Sequence, residues 1–221
     1  MSFNRDIQLD PNRVQTRSGA GRGAMIGGGS ILTVIAVVLI SQLTGVDLTS
    51  MLGAQQQTGT TTSTASSIDT SVCTSGDSAN KYTQCRMVAT AESLDAVWTE
   101  QLPAQAGIKY AKPEFVLWDG TQISSACGNA SSAVGPFYCS GDRTVYLDMS
   151  FFSEMERSLG AADTPLAEEY IVAHEFGHHI QHLTGQMAKA DRSGSGATSD
   201  SVRLELQADC YAGIWVNHAS S

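Results

Sequence analysis

The segment Ala173-His174-Glu175-Phe176-Gly177-His178-His179 constrains this chain more than any other. On a helix, at about 100° per residue, His174 and His178 stand about 40° apart on one face, a turn from each other, with a carboxylate beside the first. The helix is well delimited in sequence. Thr164-Pro165 offers a capping hydroxyl and a proline at the first helical position, Glu168 and Glu169 put negative charge where the dipole favours it, and Gly185 ends the run. Leu166, Tyr170, Val172, Ala173, Phe176, Ile180 and Leu183 form one broad apolar stripe, with His174 and His178 at its edge. Both imidazoles therefore look into the protein, and such a face can hold a metal ion.

Two histidines from H-E-x-x-H need a third protein ligand, and a catalytic site keeps a further position for water, with Glu175 beside it as general base rather than ligand. Gln181 and Thr184 occupy the positions where a metzincin carries Gly and His. His182 continues the histidine row but lies about 12 Å along the helix from His174, too far to share one ion. His179 points about 100° away from His178, so both read as surface or supporting histidines. A better third ligand lies in Ser201-Val202-Arg203-Leu204-Glu205-Leu206-Gln207-Ala208-Asp209-Cys210-Tyr211-Ala212-Gly213. As a helix it puts Glu205 and Asp209 on one partly apolar face, where like charges a turn apart repel and buried carboxylates are costly. A cation between the two helices relieves both. Glu205 is thus the expected third ligand, and Asp209 the carboxylate that orients a ligating imidazole, most naturally that of His174. A solvated acidic face is the bland alternative.

These two motifs, with Gly135-Pro136-Phe137-Tyr138-Cys139, Val145-Tyr146-Leu147-Asp148 and Gly45-Val46-Asp47-Leu48, resemble the putative neutral zinc metallopeptidase family of bacterial membrane-anchored proteins. The resemblance runs from about residue 25 to the C-terminus. It implies a zincin with His174, His178 and Glu205 as Zn2+ ligands and Glu175 as base. Members of that family continue with a segment containing Phe-Thr-His-Gly, whereas this chain stops at Ser221, and C-terminal truncation is the matching expectation.

Residues 1–23 are polar, carry Arg5, Arg13, Arg17 and Arg22, and read as a disordered cytoplasmic tail. Residues 24–43 are uncharged and just long enough to span a bilayer; a cleaved signal peptide competes with an uncleaved anchor. With the basic residues on the N-terminal side, the positive-inside rule places the domain outside the membrane. Residues 44–80, rich in Ser, Thr and Gln, read as a linker. Net charge of −9 argues against a nucleic-acid partner. An exported domain permits disulfides. Cys73 and Cys85, and Cys127 and Cys139, are expected to pair sequentially, although sequence leaves connectivity open, and Cys210 reads as a buried thiol.

Residues 81–221 give a helix over 86–101 closed by Pro103, a strand at 114–118, a hairpin of strands at 136–139 and 143–148, a short helix at 149–159, the first metal helix, a mobile loop at 185–200 and the second metal helix. That order is α+β and zincin-like: a small sheet, an active-site helix and a Glu-bearing helix, after one N-terminal transmembrane helix. An edge strand holding Tyr138 or Val145-Tyr146 is where an extended substrate would pair. The expected activity is hydrolysis of peptide bonds in a peptide or protein substrate by a membrane-anchored zinc enzyme with Glu175 as base. The alternative is a non-catalytic, zinc-stabilised binding module at the cell surface. Tyr146, Tyr211 and His218 are oxyanion candidates by residue type alone. Substrate and oligomeric state are not legible.

Overall fold

Phe115-Val116-Leu117-Trp118 and Val145-Tyr146-Leu147 are apolar at consecutive positions, the signature of strands covered on both faces. The computed structural model describes residues 2–18, 68–120, 122–159, 164–191 and 193–219. In chain order its elements are β1 (Gln15–Ser18), α1 (Gly76–Lys81), α2 (Thr83–Ala106), β2 (Glu114–Asp119), β3 (Gln122–Ser125), β4 (Gly128–Ser131), β5 (Phe137–Cys139), β6 (Thr144–Asp148), α3 (Phe151–Leu159), α4 (Pro165–Leu183), α5 (Gln186–Lys189) and α6 (Asp200–His218).

The fold is α+β with a small sheet in the order β1-β2-β6-β5. β2 is parallel to both β1 and β6, and β5 returns antiparallel along β6, so β5 is an edge. Phe115, Leu117, Val145 and Leu147 join Val88 and Leu94 of α2 and Phe176 and Ile180 of α4 in the main core. On the opposite face, Val116, Trp118 and Tyr146 are covered by Ile123 and Ala130 of the β3–β4 hairpin and by Cys139. The disulfides are Cys73–Cys85 and Cys127–Cys139, the sequential pairs.

Several expectations are corrected. Residues 2–18 are not a disordered tail. Asn80 exchanges two 2.8 Å hydrogen bonds with the backbone of Phe3, Leu9 and Val14 are buried, and β1 runs in register from Gln15 beside Val116 to Ser18 beside Asp119. Arg13 grips the buried Asp95 with two bonds, of 2.6 and 3.1 Å. The expected span at 24–43 lies outside the described residues, and among the described residues no helix is long and apolar enough to cross a membrane. Moreover, residues 2–18 and 68–219 share one core and one sheet. A single crossing between them would put strand and sheet on opposite sides of a bilayer, so the single-pass arrangement, with a cytoplasmic N-terminus and an extracytoplasmic domain, is overturned.

The folded unit also begins before Lys81: in the described part of the expected linker, Cys73 and Ala79 are buried and Ser75 caps α1. α2 passes through Pro103, which is exposed and has no N–H to donate, and ends at Gly107, at φ 68°. The connection at 185–200, expected as a loop throughout, contains α5. Cys210, expected to be buried, is exposed and free.

Candidate metal centre

α4 begins as its sequence dictates: Thr164 caps it by accepting a hydrogen bond from the Ala167 N–H at 3.3 Å, and Pro165 follows. α6 begins with Ser199 accepting from the Val202 N–H at 3.4 Å. The two helices meet nearly backbone to backbone, because Gly177 has no side chain where a Cβ would come within 2.8 Å of the Ala208 carbonyl oxygen. This approach brings the α6 carboxylates up to the α4 imidazoles.

His174, His178 and Glu205 then converge, with one donor atom from each lying within 4.8 Å of the others. Glu205 Oε2 is 3.2 Å from His174 Nε2 and 3.5 Å from His178 Nε2. An ion bonded at about 2.0–2.1 Å in tetrahedral geometry separates its ligands by about 3.3 Å, which the two Glu205–histidine spacings match, while the triad as a whole spans up to 4.8 Å. The rings of His174 and His178 are perpendicular, with centroids 4.8 Å apart.

The electrostatics point the same way. Burial works to raise the Glu205 carboxyl, but hydrogen bonds from His174 and His178 outweigh it and hold the group at about 2. Burial works to lower His174, but its bonds to Asp209 and Glu205 push it up to about 10, and His178 is likewise raised by Glu205. Two imidazoles drawn towards protonation around one carboxylate make a place that demands positive charge, which a divalent cation supplies without protons.

The supporting bonds define the tautomers. His174 Nδ1–H donates to Asp209 Oδ1 at 2.8 Å, and Tyr170 donates to the same oxygen at 3.2 Å, leaving His174 Nε2 towards Glu205. His178 Nδ1 lies 2.9 Å from Gln181 Oε1. Glu175 is buried beside the cluster; burial raises its carboxyl, opposed first by His178 and His174 and, least, by the backbone amide of Tyr138. The edge strand β5 thus lies near enough for its amide to act on the carboxylate electrostatically.

The other sequence candidates fall elsewhere. Of the two roles expected for it, His179 does not take the surface one: it is fully buried, with Nε2–H donating to the Ala111 carbonyl at 2.6 Å and Nδ1 accepting from Tyr138 at 3.0 Å. His182 lies by the Tyr138 ring. Tyr146 donates to Asp142 at 2.9 Å, Tyr211 packs edge-on to Trp98, and His218 bonds the Ile214 carbonyl of its own helix. None of these three reaches the triad with a hydrogen bond among the described residues. Tyr170 and Gln181 are not among the expected site residues, although each stands three or four residues from a candidate ligand histidine on the same helix, the spacing at which side chains meet.

Residues 6–221 match the family described as putative neutral zinc metallopeptidase. Uncharacterized proteins of Mycobacterium bovis and Mycobacterium tuberculosis are 46% identical over 181 residues, covering 82% of this chain and 59% of theirs. The uncharacterized protein YpfJ of Escherichia coli K12 is 35% identical over 222 residues, covering 93% of this chain and 72% of that protein. The chain thus spans less than two thirds of the length of the mycobacterial relatives. No solved structure matches it.

Proposed function

We propose, for a chain that belongs to the putative neutral zinc metallopeptidase family, that His174, His178 and Glu205 hold one zinc ion and that Glu175 serves as general base in peptide-bond hydrolysis. The observation that carries the reading is the convergence of three donor atoms within 4.8 Å beside a buried carboxylate that is not one of them. Zinc, when bound, supplies Lewis acidity, lowering the pKa of a water and polarising a peptide carbonyl.

The remaining work falls to the chain. Asp209 and Tyr170 keep the proton of His174 on Nδ1, so that Nε2 is free to bind. Burial raises Glu175 towards the range in which it both accepts a proton from water and returns it to the leaving amine. The Tyr138 amide favours the ionised carboxylate from β5, the strand along which an extended peptide substrate would lie.

The test is cleavage of casein by the full chain loaded with zinc, beside Glu175→Gln. Activity in the parent that falls at least about 100-fold in the variant, at unchanged zinc content, supports the reading. Zinc retained with no cleavage by the parent would reduce the ion to a structural tie between α4 and α6.

A further inference from the structure

Gln181 is fully buried on α4, one turn beyond His178, and faces α6. Its Oε1 lies 2.9 Å from His178 Nδ1, and its Nε2 lies 2.6 Å from the Leu204 carbonyl oxygen and 3.1 Å from Gln207 Oε1. A carbonyl can only accept, so the amide nitrogen must face Leu204 and the amide oxygen must face His178. The reverse assignment would press two acceptors together at 2.6 Å. Facing an acceptor, His178 Nδ1 must carry a hydrogen, and Nε2, 3.5 Å from Glu205, keeps its lone pair for an ion. Both hydrogens of the amide and its oxygen are then used, as a buried amide requires.

The Leu204 carbonyl belongs to the peptide unit that leads into Glu205. One amide therefore touches the ring of one proposed ligand and the backbone of another. The choice of a neutral group also matters: Glu175, Glu205 and Asp209 already put three carboxyl groups around the centre, and a second carboxylate behind His178 would add a fourth. We infer that Gln181 is a positioning residue for the metal centre, fixing the tautomer of His178 and suspending the Glu205 turn from the same amide. The inference rests on the zinc reading above.

The test uses the full chain and zinc itself, with affinity measured by competition against a chromophoric chelator and folding monitored by circular dichroism. The parent is titrated first: failure to take about one zinc per chain rejects the zinc reading, and the inference with it, before any variant is read. Gln181→Met keeps the volume and removes both hydrogen-bonding ends; zinc affinity is expected to fall about 10–100-fold in a folded protein. Gln207→Leu, which removes only the outer acceptor, stays within about threefold. A Gln181→Met affinity within about threefold of the parent, or an equal loss in Gln207→Leu, overturns the inference. A second measurement needs no variant: long-range proton–nitrogen NMR of the zinc-loaded parent should place a solvent-protected proton on His178 Nδ1. A rapidly exchanging proton there, or nitrogen shifts of the opposite tautomer, overturns it as well.

Discussion

Replacing Gly177 with alanine tests whether the contact between α4 and α6 sets the geometry of the metal centre. The added Cβ would lie 2.8 Å from the Ala208 carbonyl oxygen, 3.0 Å from its Cα and 3.2 Å from its carbonyl carbon. Carbon contacts relax at about 3.5–4.0 Å, so α6 must retreat by roughly 0.5–1 Å, and every nearby atom is backbone that cannot swing aside. Two effects oppose each other in stability. Alanine in place of a mid-helix glycine gains about 1 kcal/mol, whereas overpacking costs about 1–3 kcal/mol, leaving a net loss of about 0–2 kcal/mol. Metal affinity has no such compensation. Glu205 sits three residues before Ala208 on the retreating helix, and its oxygen must stay near 3.2 Å from His174 Nε2. A displacement of that size exceeds the roughly 0.5 Å tolerance of a ligand set, and zinc should bind about 10–100-fold more weakly, about 1.4–2.7 kcal/mol. Chelator competition reads the affinity and urea unfolding of the metal-free protein reads stability. An affinity within about threefold of the parent, in a variant that still folds, would refute the claim that this glycine is required by the metal geometry.

Arg13→Ala should release the N-terminal segment. It removes both bonds to an Asp95 side chain that is 4% exposed, leaving Lys112 at 3.2 Å and Tyr110 at 2.9 Å. Breaking a buried pair costs about 3–5 kcal/mol, and the remaining partners bring this to about 2–4. Urea midpoints check the loss and hydrogen exchange at β1 checks the release; a loss below about 0.5 kcal/mol would contradict the docking. For pH, burial holds His179 down at about 4, below the ordinary value of 6.5. The unfolded chain takes up the proton first, so the stability from the neutral ring is complete above pH 6.5 and lost as pH falls from 6.5 towards 4, by up to about 3 kcal/mol. Unfolding of the parent and of His179→Gln across that range should give a difference that shrinks on acidification; a pH-independent difference would show that the ring does not stay neutral.

What the sequence made legible was local. The cap at Thr164, the apolar stripe of α4 and the four-residue interval between His174 and His178 are all written within one helix, and so is the unfavourable adjacency of Glu205 and Asp209 that asks for a cation. The short intervals between Cys73 and Cys85 and between Cys127 and Cys139 likewise favour local closure. The illegible parts depend on partners far along the chain. Residues 2–18 look like a polar tail because their attachment runs through Arg13 to Asp95, Phe3 to Asn80 and backbone pairing with β2, none of which leaves an apolar periodicity. The β3–β4 hairpin, Gln122 to Ser131, is half Ser, Asn and Gly; it exists because Ile123 and Ala130 cover Trp118 and Tyr146, with the Cys127–Cys139 bond at its end.

The candidate metal centre and the packing of α4 on α6 are one structure. Among the contacts that cross between these helices, three follow in order: Tyr170 to Asp209, Gly177 against Ala208, and Gln181 to the Leu204 carbonyl. They flank the triad on both sides, so sliding either helix by a turn would break all three and disperse the ligands together. Without a dication, Glu205 faces two imidazoles that must hold protons to stabilise it. On the proposed zinc reading, metal and protons compete for one position, and whichever fills it also holds the two helices together. A helix pair that packs on a wholly apolar seam would not respond to metal in this way; here the seam is interrupted by His174, His178, Glu205 and Gln181, so ion binding and helix docking are expected to share a single free energy.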